Sequence, residues 1–260
     1  MPEQLPELMP ETKREPMRES ISEQAPESML RLTGLNAFYG DFQALYGVDL
    51  QINKGEVIAI IGANGAGKST LLRSIAGLIK NDASAITFNG QPIGEHRADQ
   101  VAHAGIALVP EGRQLFASLS VEENLLVGGK VGRSGPWTLD AVYAMFPILL
   151  ERRAQPSTSL SGGQQQMLAI GRALMANPEL ILFDEISLGL APVIIGDIYK
   201  ALPGIVGDGI TAVIVEQDIA RAVSVSSRVY CLREGRVVLQ GSASEITRDD
   251  ITQAYFGKVA

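Results

Sequence analysis

Cysteine is nearly absent: Cys231 is the only one in 260 residues, so no internal disulfide framework organises the chain. Its neighbours Val229, Tyr230 and Leu232 are apolar, and a buried, inert thiol is expected there. Histidine is almost as scarce, with only His96 and His103, for which surface or structural roles are expected. No run of about 18 uncharged apolar residues occurs, which excludes an ordinary membrane-spanning helix, and the first residues lack the apolar stretch of a signal peptide. A cytosolic protein is expected. Basic excess is lacking too, because the formal net charge is -7. That balance argues against general nucleic-acid binding, which needs a basic face to neutralise phosphates, although a local basic patch stays compatible with it. What the chain does have is 46% hydrophobic residues and length enough for one large domain or two modest ones.

Residues 1–28 differ from the rest. Glutamate falls at 3, 7, 11, 15, 19, 23 and 27, with prolines at 2, 6, 10, 16 and 26. A helix would stack those like charges at i, i+4 and meet a proline repeatedly, so the segment is expected to be a disordered Glu/Pro-rich tail. Its seven acids against Lys13, Arg14 and Arg18 give a net of -4. The remaining chain, 29–260, is therefore only mildly acidic.

The most informative stretch is Gly62-Ala63-Asn64-Gly65-Ala66-Gly67-Lys68-Ser69-Thr70, which fits the phosphate-loop pattern G-x-x-x-x-G-K-[ST]. An apolar strand-like run, Val57 to Ile61, precedes it; an amphipathic run with Leu71, Leu72, Ile75, Leu78 and Ile79 follows. Glycines and small residues let the backbone curl until several N–H groups face one anion, and a helix beginning near Lys68 adds its positive dipole end. Lys68 would reach the β- and γ-phosphates of a nucleotide, and the Ser69 hydroxyl would complete a Mg²⁺ shell. A ligand-free Gly-rich turn is the alternative reading of these nine residues alone.

Around this loop the pattern is α/β. Alternating segments over Leu30–Leu32 and Val48–Ile52, with further strands near Ala85–Asn89, predict a small antiparallel layer. Tyr39, at the first break in it, offers an aromatic face for a nucleobase or a packed structural tyrosine. Ile106–Val109 reads as a buried strand ending at Pro110-Glu111-Gly112-Arg113. Ser120 and Glu123 form a capping box for a helix through Leu126. A Gly/Ser/Pro loop is expected over 128–136 and a helix over Thr138–Glu151, so about 113–160 reads as a helical insertion. Leu160-Ser161-Gly162-Gly163-Gln164 opens a helical pattern that stops at Asn177-Pro178. Ser161 and the two glycines are either an anion seat at a helix N-terminus or an ordinary serine cap. Glu179 to Glu185 has the form of a Walker B strand: Asp184 would act on Mg²⁺ through water, and Glu185 would polarise attacking water. Ile210–Val215 is another core strand, ending at Glu216-Gln217-Asp218. A last hairpin turns at Glu234-Gly235, and a Ser242–Glu245 box is expected to open a C-terminal helix.

The order of these parts from residue 30 onward resembles the nucleotide-binding subunit of ATP-binding cassette (ABC) transporters, with Leu-Ser-Gly-Gly-Gln as the most specific element. Gly62–Lys68, Val109–Arg113, Gln165–Leu174, Leu188-Gly189-Leu190-Ala191-Pro192 and Val215-Glu216-Gln217 are similar to the branched-chain amino acid importer ATPases. The resemblance implies a P-loop NTPase (RecA-like) core with an antiparallel β layer and a helical insertion, using ATP and Mg²⁺. It implies ATP contacts at Tyr39, at Gly62 to Thr70 and, from a partner, at Ser161, Gly162, Gly163 and Gln164. Ser69, Asp184 and Glu111 fall at metal positions; Glu185, Lys68 and Gln217 fall at catalytic ones. The implied assembly is a head-to-tail pair of cassettes on two transmembrane permease subunits at the cytoplasmic face of a bacterial or archaeal inner membrane. A separate extracytoplasmic solute-binding protein would supply the cargo.

Four positions depart from the general family pattern. Glu111 stands for the usual Q-loop glutamine, Gln217 for the switch histidine, Ile186 for the proline after the catalytic glutamate, and Ala191 for the D-loop aspartate. An amide at 217 can hydrogen-bond a phosphate or water but carries no proton near neutral pH. Other readings are a transporter of the same type for urea or short amides, or a soluble ABC ATPase of assembly, translation or repair.

Overall fold

The computed structural model describes residues 28–207 and 209–257. The Glu/Pro-rich segment lies outside them, except that Ser28 already opens the first strand. In chain order the elements are β1 (Ser28–Tyr39), β2 (Phe42–Asn53), β3 (Val57–Ile61), α1 (Lys68–Ile75), β4 (Ile86–Phe88), β5 (Gln91–Pro92), α2 (Ala98–Ala104) and β6 (Ile106–Val109). Next come α3 (Val121–Gly129), α4 (Leu139–Met145), α5 (Pro147–Glu151), α6 (Gly162–Leu174), β7 (Leu180–Asp184) and α7 (Pro192–Gly207). The chain continues through β8 (Thr211–Val215), α8 (Ile219–Ser224), β9 (Arg228–Arg233), β10 (Arg236–Ser242) and α9 (Arg248–Phe256).

Two sheets result. The expected antiparallel layer runs β2-β1-β4-β5, and a six-stranded sheet runs β10-β9-β3-β8-β7-β6. Within the second, β9, β3, β8, β7 and β6 are parallel and β10 returns antiparallel on β9. Its central strands β3, β7 and β8 are buried almost throughout because both faces are covered: Ile58, Ile60 and Ile61 have no exposure, and burying each such side chain contributes about 1.5–3 kcal/mol. Leu71, Leu72 and Ile75 of α1 share one core with Leu35 and Leu45 of the antiparallel layer. The opposite face packs against α3, α4, α6 and α7, whose Leu125, Val142, Leu168 and Ile198 join Ile181 and Phe183.

Register decides where the chemistry falls. Asp184 lies beside Val215, and Val215 beside Ile60, so β3, β7 and β8 end at one level. The loops after them meet in the crevice outside the carboxyl ends of parallel strands, where open α/β sheets bind ligands.

Local details depart from the sequence expectation in four places. The helix expected through Leu126 extends to Gly129, so Gly128 and Gly129 are helical rather than loop. Gly128 is required by packing, since a Cβ there would run into the Arg172 carbonyl. Thr138–Glu151 is two helices, because Pro147 cannot continue α4 and instead starts α5 at its first position. Helix α1 ends at Ile75, and Leu78 is exposed. The box of the last helix is Thr247 with Asp250; Ser242 ends β10, and its hydroxyl meets Ser244.

Candidate active site

The loop between β3 and α1 is held from behind. Gly62 has a positive φ of 155°, and a Cβ there would run into the Leu232 carbonyl oxygen. Its N–H donates to the Tyr255 hydroxyl of α9 at 2.9 Å. The turn between β9 and β10 braces the other side: Gly235 N–H donates to the Ala66 carbonyl at 3.0 Å, and Tyr46 N–H donates to the Gly235 carbonyl at 2.9 Å. Gly67, at φ 102°, leads into α1, whose first residues are Lys68, Ser69 and Thr70. Loop and helix N-terminus thus form the concavity that a polyphosphate fits.

A cleft of about 800 Å³ opens over this concavity. Asn64, Gly65, Gly67, Lys68, Ser69 and Thr70 line it, together with Tyr39, Glu111, Glu185 and Gln217. Gly62, Ala63 and Ala66 of the loop are not among the residues that line it. Tyr39 is 45% exposed with its hydroxyl 3.4 Å from Thr70 Oγ1; its ring is therefore at the cleft mouth rather than packed in the core. Phe42, Ala44, Tyr46 and Glu234 also line the cleft. Their place was not readable from spacing, because the β1–β2 and β9–β10 turns are far from the loop in sequence.

Lys68 is buried, donating to the carbonyls of Gly62 at 2.9 Å and Ala63 at 3.2 Å. Its Nζ lies 3.4 Å from Glu185 Oε1. The other Glu185 oxygen accepts from Gln217 Nε2 at 2.6 Å. Glu185 sits at φ 48°, a left-handed conformation that costs a branched or long side chain of order 1–3 kcal/mol. Its N–H is held by the Val215 carbonyl at 3.0 Å. Asp184, at the end of β7, accepts from the Ser69 hydroxyl at 2.9 Å. Burial pushes its carboxyl above the usual aspartate range; the Ser69 bond opposes this, and the charges of Glu185 and Glu111 add to it.

Ser161 to Gln164 are elsewhere: none of the four lines the cleft. Ser161 is exposed and caps α6, its N–H donating to Gln164 Oε1 at 2.9 Å and its Oγ accepting from Gln164 N–H. Gly163 lies so close to Ile194 of α7 that a Cβ would strike that side chain. Besides the cleft residues Phe42, Ala44, Tyr46 and Glu234, sequence reasoning missed two that support the site from behind. Tyr255 contacts the loop with no motif to announce it, and Glu216 is a buried carboxylate beside Gln217.

A family model described as ABC transporter matches residues 45–187. The chain is 41% identical over 232 residues to the high-affinity branched-chain amino acid transport ATP-binding protein BraG of Pseudomonas aeruginosa, covering 88% of this chain and 100% of the relative. It is 35% identical to the probable branched-chain amino acid transport ATP-binding protein LivF of Archaeoglobus fulgidus, over 84% of this chain and 94% of the relative. Among solved structures, a nucleotide-free ATP-binding cassette from an ABC transporter superposes with TM-score 0.75 at 29% identity, covering 87% of this chain and 94% of that one. A bacterial ABC transporter cassette solved as a dimer gives TM-score 0.74 at 27% identity, over 83% and 99%. No helix among the described residues is long and apolar enough to cross a membrane. With the phosphate loop, acidic strand end and signature segment in the family's order and geometry, the chain belongs to the ABC transporter family as an ATP-binding, ATP-hydrolysing cassette.

Proposed function

We propose that this cassette powers import of branched-chain or related amino acids through separate permease subunits. The observation that carries the reading is the similarity to BraG, which spans that relative end to end. A head-to-tail cassette pair, two permeases and an extracytoplasmic solute-binding protein complete the proposed machine. A dimeric cassette bound to ADP and phosphate is among the solved structures this chain resembles, which supports the pair. The cytoplasmic face of a bacterial or archaeal inner membrane is the matching location.

Oxygen donors at the cleft fit a hard cation: the Ser69 hydroxyl and the Asp184 carboxylate are 2.9 Å apart, and Glu111 lines the same cleft. These residues would hold Mg²⁺, which when bound supplies charge neutralisation on the phosphate oxygens. Tyr39 stacks on the base, and the N–H groups of the loop cradle the phosphates. Lys68 gives up the Gly62 and Ala63 carbonyls and turns to the β- and γ-phosphates. Glu185 takes a proton from the attacking water while Gln217, hydrogen-bonded to its carboxylate, fixes the direction of approach. As the water oxygen bonds to the γ-phosphorus, the bond from that phosphorus to the β–γ bridging oxygen breaks, and ADP and inorganic phosphate are the products. Ser161 and Gly163 of the opposing cassette close over the γ-phosphate, because each chain's own signature lies away from its own cleft. Closure and reopening then drive the permeases.

The test is solute-stimulated ATPase of the chain reconstituted with its permeases. Glu185→Gln is expected to lower turnover about 10²–10⁴-fold, the usual loss on removing a general base; unchanged turnover would reject Glu185 as the base. Stimulation by urea or a short amide instead of a branched-chain amino acid would move the solute assignment while leaving the cassette assignment intact. Purification with soluble partners alone would favour a non-transport ATPase.

A further inference from the structure

Glu216 is 1% exposed and directly precedes Gln217. It follows the five residues of β8, Thr211 to Val215, all buried. A carboxylate at the end of such a strand is costly to desolvate, and its partners among the described residues are neutral donors. Ser187 donates twice, from Oγ at 2.7 Å and from its N–H at 3.3 Å, and the Tyr199 hydroxyl of α7 donates at 2.8 Å. The nearby cation, Arg221, instead stacks over the Tyr199 ring at 5.4 Å and pairs with Asp218 at 3.5 Å. Burial and the Glu216 charge push the Tyr199 phenol upward, so it remains a donor throughout the working pH range.

These bonds join the two segments that carry the reacting pair. Glu185 and Ser187 belong to the segment leaving β7; Gln217 and Glu216 belong to the segment leaving β8. The Gln217–Glu185 bond of 2.6 Å therefore has a second rung beside it, Ser187 to Glu216. Charge-assisted bonds of this kind are the stronger class, and in this second rung Ser187 is half-buried and Glu216 buried, whereas Gln217 is exposed. Ser187 also leads into Leu188 and Gly189, which are exposed, so this second rung links the reacting pair to an exposed segment.

We propose that Glu216 is a positioning residue for ATP hydrolysis: by clamping Ser187 and Tyr199 it fixes the spacing of the β7 and β8 ends, and so holds Glu185 and Gln217 at reacting distance. The inference rests on the reading of Glu185 as base and Gln217 as its partner. Glu216 is not among the residues that line the phosphate cleft, and its effect passes through Gln217 and Glu185.

The experiment measures kcat, KM for ATP, nucleotide affinity and melting temperature in the assembled transporter for Glu216→Gln, Ser187→Ala, Tyr199→Phe, Gln217→Ala and the Glu216→Gln/Gln217→Ala double variant. Small misplacement of reacting groups costs up to about 100-fold, so Glu216→Gln and Ser187→Ala are each expected to lower kcat by about 10–100-fold. KM and nucleotide affinity should stay within about twofold, because the lost interaction serves the transition state. In the Gln217→Ala background, Glu216→Gln should cost less than about twofold more, since residues acting as one unit are not additive. A full additive loss in the double variant, or a lowered melting temperature with unchanged kcat, overturns the proposal in favour of a structural role. If Glu216→Gln does not fold, Ser187→Ala and Tyr199→Phe each remove one donor and carry the same test. Should Glu185→Gln abolish turnover while Ser187→Ala and Glu216→Gln keep wild-type kcat, only the role of Glu216 falls. Should Glu185→Gln keep full turnover, the base itself is misassigned.

Discussion

Cys231 pairs with Ile61 in the core sheet, one residue before the phosphate loop, and has no exposure. Burial pushes its thiol up to about 11, with the charges of Arg233 and Lys68 opposing the shift. Because the thiolate is the reactive form, Cys231 is expected to resist a disulfide exchange reagent at pH 8 in the folded protein and to react on unfolding; prompt native labelling would contradict its burial. The sign of the linked stability follows. A thiol ionises near 8.5 when unfolded, so the folded state retains the proton longer and loses stability as pH rises from about 8.5 toward 11, by up to about 1.4 kcal/mol per unit. Chemical denaturation of wild type against Cys231→Ala across that range isolates the effect from other titrating groups. The burial of this thiol was legible from its apolar neighbours. Lys68, Asp184 and Glu185 were legible as well, because a phosphate loop and an acidic strand end are contiguous patterns. Tyr255 and the role of Glu216 were not, since each depends on a contact between segments far apart in sequence.

Among elements, the most consequential contact of this kind is made by α9. Its Tyr255 hydroxyl accepts from Gly62 N–H, and Arg233 donates to the Ala254 carbonyl at 3.0 Å, tying the helix to β9. Tyr255→Phe leaves the buried Gly62 N–H without its acceptor, a loss of about 1–3 kcal/mol. A fall in melting temperature of about 2–4 °C per kcal/mol is expected for a domain this size. Nucleotide affinity should weaken with it, as the loop loses its brace; an unchanged melting curve and unchanged affinity would show that α9 does not support the loop. The position of α9 was misread for a physical reason. Ser242-x-x-Glu245 and Thr247-x-x-Asp250 are both capping patterns, and only packing of Ile251 and Ala254 against β9 residues and Ala59 selects the second. Helix α7 was unread because Gly196, Pro203 and Gly204 disfavour a helix. Its buried residues Ile195, Ile198, Leu202 and Ile205 nevertheless fall on one face, and burial of that face outweighs local propensity.

At the scale of the whole molecule, the fold was readable because strand, glycine loop and helix must follow one another for a phosphate to meet a helix end. The shared site implied by the resemblance is a different matter, and the structure shows only that the signature segment does not line this chain's own cleft. Lys68, Glu185 and Gln217 converge on one cleft, whereas Ser161 caps an exposed helix end that does not line it. If the missing wall comes from another cassette, binding and turnover must separate by mutation. Lys68→Ala removes the cation that the proposed mechanism turns to the phosphates and is expected to abolish nucleotide binding by the isolated chain. Ser161→Arg changes an exposed cap at the far segment, so the isolated chain should bind nucleotide within about twofold of wild type, a surface change being within about 0.5 kcal/mol. In the assembled transporter the same Ser161→Arg should block closure and suppress hydrolysis, because a long charged side chain would occupy the place of the γ-phosphate contact. Titrating a fluorescent ATP analogue into the monomer, then measuring ATPase in the assembly, reads both effects. Equal loss of monomer affinity in the two variants would place Ser161 in its own chain's cleft and end the shared-site account; loss of turnover with intact monomer binding requires the second cassette.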